Sequence, residues 1–184
     1  MKSPKHAQLI RESAQGLLDD VLAGRSVAER VADLKVYARL LANPDGIVKL
    51  LDEGGTEALS YAKRMAGKYP SVNFRVTETI GHVGTETDIG YLNRLVELKK
   101  IYGLSETASN AELAAKLQGN LGGMQKVIYK QVEDWGGAYD RFGFYDPTTK
   151  VLLAFDNAGE LRTAFRPDNG WEYVMSRKWA LEIN

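Results

Sequence analysis

Residues 138–167, AYDRFGFYDPTTKVLLAFDNAGELRTAFRP, constrain the fold more than any other part of the chain. Three short apolar, aromatic-rich runs at 139–145, 151–155 and 161–165 are separated by Asp146-Pro147-Thr148-Thr149 and Asp156-Asn157-Ala158-Gly159. Proline presets φ at the second position of a turn, and glycine accepts positive φ without strain. Short runs joined by such turns predict an antiparallel meander. Three strands cannot bury both faces alone, so at least one helix must pack against them.

The rest of the chain supplies the helices. Over 7–22, apolar residues recur at helical spacing, and Gly24 ends that helix. Ser26 and Glu29 form a capping-box pattern ahead of a second helix with the stripe Val27, Val31, Leu34, Ala38 and Leu41. Asn43-Pro44-Asp45 breaks it. A short helix over 47–51 then stops at Gly54-Gly55, and Thr56 caps another over 57–65. Short links suggest an antiparallel bundle.

After Pro70, residues 72–79 alternate like a strand, and a glycine-punctuated loop follows over 80–88. Helices are expected over 89–102, over 111–117 with Asn110 as cap, and over 124–135 leading into the meander. Residues 171–179 suit either a strand or a short helix. The expected fold is α+β, with a helical region over 1–70 and helices packed on a small antiparallel sheet over 71–184.

Composition bounds the chemistry. The absence of cysteine removes disulfides, thiol nucleophiles and cysteine-based zinc sites. With two histidines, a histidine-rich metal site is not expected, and no cofactor motif is present. No run approaches about 18 consecutive apolar residues, so membrane insertion is not expected. The first residues lack the apolar core of a secretion signal. The 24 basic and 24 acidic residues give zero formal net charge, spread nearly evenly along the chain. A non-specific nucleic-acid binder usually carries a basic excess, so any nucleic-acid ligand here needs a local basic cleft or a partner that delivers it.

Three features carry possible chemistry. On a helix over 124–135, Lys126 and Lys130 share one face with Glu133 and could hold a phosphate, although solvated charged faces are common. In the third strand, alternation places Arg162 and Arg166 on one side and Thr163 on the other, with Arg141 on an antiparallel partner. Guanidinium groups match phosphate oxygens bidentately, whereas pairing with Asp140, Asp146 or Asp156 on an outward face is the plainer alternative. His82, among Gly81, Gly84, Thr85 and Thr87, is a candidate acid–base group for ribose 2′-OH chemistry, or an incidental loop histidine.

Phe144-Tyr145-Asp146-Pro147, Leu153-Ala154-Phe155-Asp156, Gly159-Glu160-Leu161 and Arg162-Thr163-Ala164-Phe165-Arg166-Pro167 resemble the barnase/EndoU/colicin-D/RelE-like ribonuclease superfamily. The nearest likeness is to C-terminal toxin domains of contact-dependent inhibition and other polymorphic toxins, and to related phage nucleases. The resemblance implies a metal-independent endoribonuclease, without cofactor, whose site lies on the sheet. Thr163 and Arg166 fall in the strand motif that supplies site residues, Thr163 bonding a phosphate oxygen and Arg166 stabilising its developing charge. A flat strand would not present both together; a bulge or a strand end near Phe165 would. His82 and Lys130 complete the expected catalytic group on chemical grounds alone. Lys126, Arg141, Tyr145 and Arg162 are the expected substrate contacts.

The resemblance further implies tRNA as substrate, an immunity protein covering the cleft, a host helper protein presenting the tRNA, and delivery to the cytoplasm of a target bacterium. Residues 1–70 would then serve delivery, entry or bracing. Two other readings stand beside it: a non-catalytic or phage-associated binding module on the same scaffold, and an ADP-ribosyltransferase-like toxin with Glu160 or Glu172 as its glutamate.

Overall fold

The computed structural model describes Arg11, Gln15, Asp19 and residues 27–80, 89–133 and 136–183. Among these, residues up to Ser71 together with 179–183 form one compact unit, and Val72–Lys178 form another. The fold is α+β, with a helical N-terminal region followed by helices and a small antiparallel sheet.

In the first unit, helix α1 (Val27–Leu41) is followed by α2 (Pro44–Lys68). Asn43 caps α2 by accepting the Gly46 N–H at 2.9 Å, and Pro44 at the first helical position loses no hydrogen bond. The break expected at Gly54-Gly55 is present within α2, where Gly55 leaves the helical conformation with φ 54° and ψ −140° and the helix kinks. The stripe expected on α1 is corrected. Val31, Leu34 and Leu41 are exposed, while Tyr37 and Leu40 are buried. The short link at 42–43 sets which face of α1 meets α2, and Lys63 Nζ lies 5.0 Å above the Tyr37 ring. Tyr61 and Trp179 pack at 5.5 Å beside Leu50, Ala58, Ala62 and Met65 in the core of this unit. The helix expected over 7–22 lies largely outside the described residues, as does Ser26, the cap expected for α1.

In the second unit, α3 (Ile89–Ile101) and α4 (Asn110–Asn120) precede four strands, β1 (Gln125–Val132), β2 (Ala138–Tyr145), β3 (Leu152–Phe155) and β4 (Leu161–Phe165). They are hydrogen-bonded in the order β4-β3-β2-β1. Helix α5 (Gly170–Met175) follows, and strand β5 (Lys178–Ile183) belongs to the first unit from Trp179 on, so residues 171–179 contain both of the expected alternatives in succession. Ser109, not Asn110, caps α4: its Oγ accepts the Glu112 N–H at 3.1 Å, and the Glu112 carboxylate accepts the Ser109 N–H at 2.7 Å.

Both turns of the meander are built by aspartates. Asp146 Oδ1 accepts the N–H groups of Thr148 and Thr149, and Asp156 Oδ1 accepts those of Ala158 and Glu160. Gly159 has φ 85°, and a Cβ there would run into the backbone carbonyl of Asn73. Gly159→Ala is therefore expected to cost about 2 kcal/mol or more, read as a lowered urea midpoint. An unchanged midpoint would show that the turn relaxes freely.

Two expectations in this unit are overturned. Residues 125–132 form a strand, not a helix. Val127, Ile128 and Tyr129 are consecutively buried, because both faces of β1 are covered there, and two-sided burial imitates a helical stripe in sequence. β-branched and aromatic residues favour the extended form. Residues 72–79 make no strand beyond one bridge, Arg75 N–H to Gly159 O at 2.9 Å. The Gln118 side-chain amide stands in for a neighbouring peptide, accepting from Val76 N–H at 2.7 Å and donating to Phe74 O at 3.2 Å. Phe74 is thereby held over the sheet, with its ring 4.8 to 5.3 Å from those of Phe142, Phe144 and Phe155.

Candidate functional site

Strand register assigns each side chain of the meander to a face. Ile128, Phe142 and Phe155 align across three strands, as do Phe144, Leu153 and Ala164, and this face is the buried core under Phe74. The opposite face carries Tyr129 beside Arg141, Gln131 beside Tyr139, and Ala154 beside Thr163. At one end α5 closes over it, with Tyr145 against Trp171 at 5.3 Å. Along the remainder lies a groove of about 980 Å³.

Five arginines line this groove: Arg94 from α3, Arg141 from β2, Arg162 from β4, Arg166 just beyond it, and Arg177 after α5. Their environments differ. Arg162 donates from Nε and Nη2 to Asp156 Oδ2 at 2.8 and 2.6 Å. Burial raises the Asp156 pKa, but the guanidinium and the Glu160 and Ala158 N–H groups outweigh this and hold it below the usual carboxylate range. This pair is a fixed part of the turn. Arg166 meets Glu97 at 3.1 Å with both side chains about half exposed, 50% and 43%, so water competes for the contact.

Arg141 lies 5.2 Å from the Tyr139 ring and donates to Asp140 O at 3.2 Å, while Arg177 sits 4.0 Å from the Tyr173 ring. Among the described residues, Arg94, Arg141 and Arg177 have no carboxylate partner. Tyr129 forms part of the groove lining. Burial pushes its phenol up to about 12, against the opposing pull of the Arg141 and Arg177 charges. A raised acid pKa means that the folded state keeps its proton longer, so stability is present below pH 10 and is lost as pH rises toward 12. Tyr129→Phe is expected to flatten this alkaline loss, by roughly 2 kcal/mol, in urea titrations at successive pH values. An unchanged alkaline slope would assign the loss to other groups.

Four of the residues expected from the sequence, Arg141, Arg162, Thr163 and Arg166, line the groove together. Thr163 and Arg166 reach the groove together because β4 ends at Phe165 and Arg166 lies beyond it, and a β-bulge at Arg162 rather than near Phe165 brings Arg162 beside Thr163. Phe155 pairs with Leu161 but Ala154 pairs with Thr163, so Arg162 is an extra residue. Leu161 and Ala164 stay in the core while Arg162 and Thr163 both reach the groove. The neighbour of β4 is β3, and Arg141 lies one strand further away. Lys126 and Lys130 stand on the opposite face of β1 from Tyr129 and do not line the groove, and Tyr145 is buried under α5. Neither Glu160 nor Glu172 lines it. His82 lies outside the described residues.

The sequence reading missed Arg94, Arg177, Tyr129, Tyr139 and Tyr173. Tyr129 was hidden by the helical assignment of β1; in a strand, its alternation with Ile128 places it opposite the core. Arg94 and Arg177 carry no local signal, since only the packing of α3 and α5 brings them to the groove. No group of three or more histidines or carboxylates among the described residues is arranged to hold a metal ion. None of the described helices is long and apolar enough to cross a membrane. No protein-family model, curated protein or solved structure matches the chain.

Proposed function

We propose that the chain is an endoribonuclease of the polymorphic-toxin kind, acting on RNA, and on tRNA foremost, in the groove of the meander. The observation that carries this reading is that five guanidinium groups and a threonine hydroxyl line one groove of a chain with no net charge, against four carboxylates, Glu97, Glu133, Asp140 and Asp156. A local cationic excess is what a neutral protein needs to hold a polyanion, and here Arg94, Arg141 and Arg177 supply it.

In the reaction, the ribose 2′-oxygen attacks phosphorus and loses its proton to a base. The bond from phosphorus to the 5′-oxygen breaks, and an acid supplies the proton that this oxygen takes. The products are a 2′,3′-cyclic phosphate and a 5′-hydroxyl. Arg166 and Arg141 stabilise the extra negative charge on the crowded phosphate, and Thr163 donates to one of its oxygens. His82 remains the candidate acid–base group. Tyr129, with its pKa near 12, keeps its proton at neutral pH and serves as floor. An immunity protein covering this groove, a helper presenting tRNA and action in the cytoplasm of a target bacterium belong to the same reading.

A second reading, a binding module without catalysis, is favoured by one feature: Arg162 and Arg166 already have carboxylate partners. The two separate on one experiment, in which the protein is expressed in a bacterial cell and total RNA is run on a denaturing gel. Growth arrest with discrete tRNA or rRNA fragments supports the nuclease. Normal growth with intact RNA, from soluble folded protein, supports the binding module. Arrest with intact RNA would move the chemistry toward the transferase alternative.

A further inference from the structure

We infer that Tyr173 and Arg177 form a nucleobase-stacking subsite at the α5 end of the groove, so that the groove grips unpaired nucleotides through their bases as well as their phosphates. The inference rests on the reading of the groove as an RNA site and adds to it a ligand group, the flat face of a base. The Arg177 guanidinium lies 4.0 Å from the Tyr173 ring centroid, close enough for a stacked cation–π pair. Phe165 meets the same ring edge-on at 5.7 Å and 89°, which fixes its plane. All three side chains line the groove.

The opposite end repeats the chemistry on another element. Arg141 lies over the ring of Tyr139, a residue 45% exposed. The Arg141 and Arg177 charges both act on the Tyr129 phenol, which lines the same groove. A ring under an arginine fixes the guanidinium plane for a phosphate in any groove. Unpaired bases gain more from such planes, because every base has a π face that stacks on an aromatic or guanidinium plane.

The test compares binding of three labelled probes of equal length by fluorescence anisotropy: a single strand, the same strand with its central bases removed, and a duplex. All three are 2′-deoxy at every position, so that none is cleaved. The single strand is expected to bind about tenfold more tightly than the abasic strand, a typical stacking contribution. Tyr173→Leu, which keeps bulk and removes the ring, is expected to erase that difference while leaving abasic binding unchanged, and Tyr173→Phe to preserve it. Equal binding of the intact and abasic strands by the unaltered protein would overturn the stacking subsite and leave the RNA site standing. Equal loss of both strands in Tyr173→Leu would do the same. No binding of any probe, with total RNA also left uncut, would overturn both.

Discussion

Arg166→Ala is expected to slow RNA cleavage by about a hundredfold to a thousandfold, the usual effect of removing one group that stabilises developing charge. Its thermal midpoint should barely move. Among the described residues its ion pair is with Glu97, both partners are about half exposed, and exposed pairs contribute about 0–1 kcal/mol. Loss of activity with retained stability is therefore the signature of this position, read from single-turnover cleavage beside a melting curve. Arg166→Lys should recover only part of the rate, since a point charge cannot reproduce a two-pronged guanidinium contact. Undiminished cleavage in Arg166→Ala would remove this residue from the chemistry. Arg162 is a poorer probe, because its bidentate bond to Asp156 ties it to the turn and mixes folding with function.

The largest effect on stability is expected at Phe155. Its side chain has no solvent exposure, and its ring lies 5.3 Å from both Phe74 and Phe144. Phe142 stands directly opposite on β2. Phe155→Ala removes a ring that several others pack on, and the rigid strands cannot close the void. The expected cost is about 3–5 kcal/mol, against a total of roughly 5–15 kcal/mol for an ordinary domain. Urea unfolding followed by tryptophan fluorescence measures it. A loss below about 1 kcal/mol would mean that the aromatic cluster repacks around the gap.

The meander was legible in the sequence because its turns are specified locally, by Asp146-Pro147 and by Asp156 with Gly159, and each aspartate bonds N–H groups within four residues. The helices after residue 27 were legible from their breakers, but the stripe expected on α1 was not the face it buries, since the link at 42–43 decides what Tyr37 and Leu40 meet. β1 was misread because burial on both faces erases the twofold alternation. Residues 72–79 alternate correctly, yet a glutamine on α4 took the hydrogen bonds that a strand neighbour would have made. As for the groove, the residues on β2 and β4 were foreseeable from the sheet pattern. Arg94 and Arg177 were not, because their positions depend on long-range packing of helices.

The bulge at Arg162 bears on how this site tolerates change in chain length. Because Arg162 is the unpaired extra residue, removing it would leave Leu161 opposite Phe155 and Thr163 opposite Ala154, as they are now. Every other side chain of β4 would keep its face. The groove thus gains a cation from a position that the core does not count, so the sheet's chemistry can be edited by a single codon without renumbering its packing.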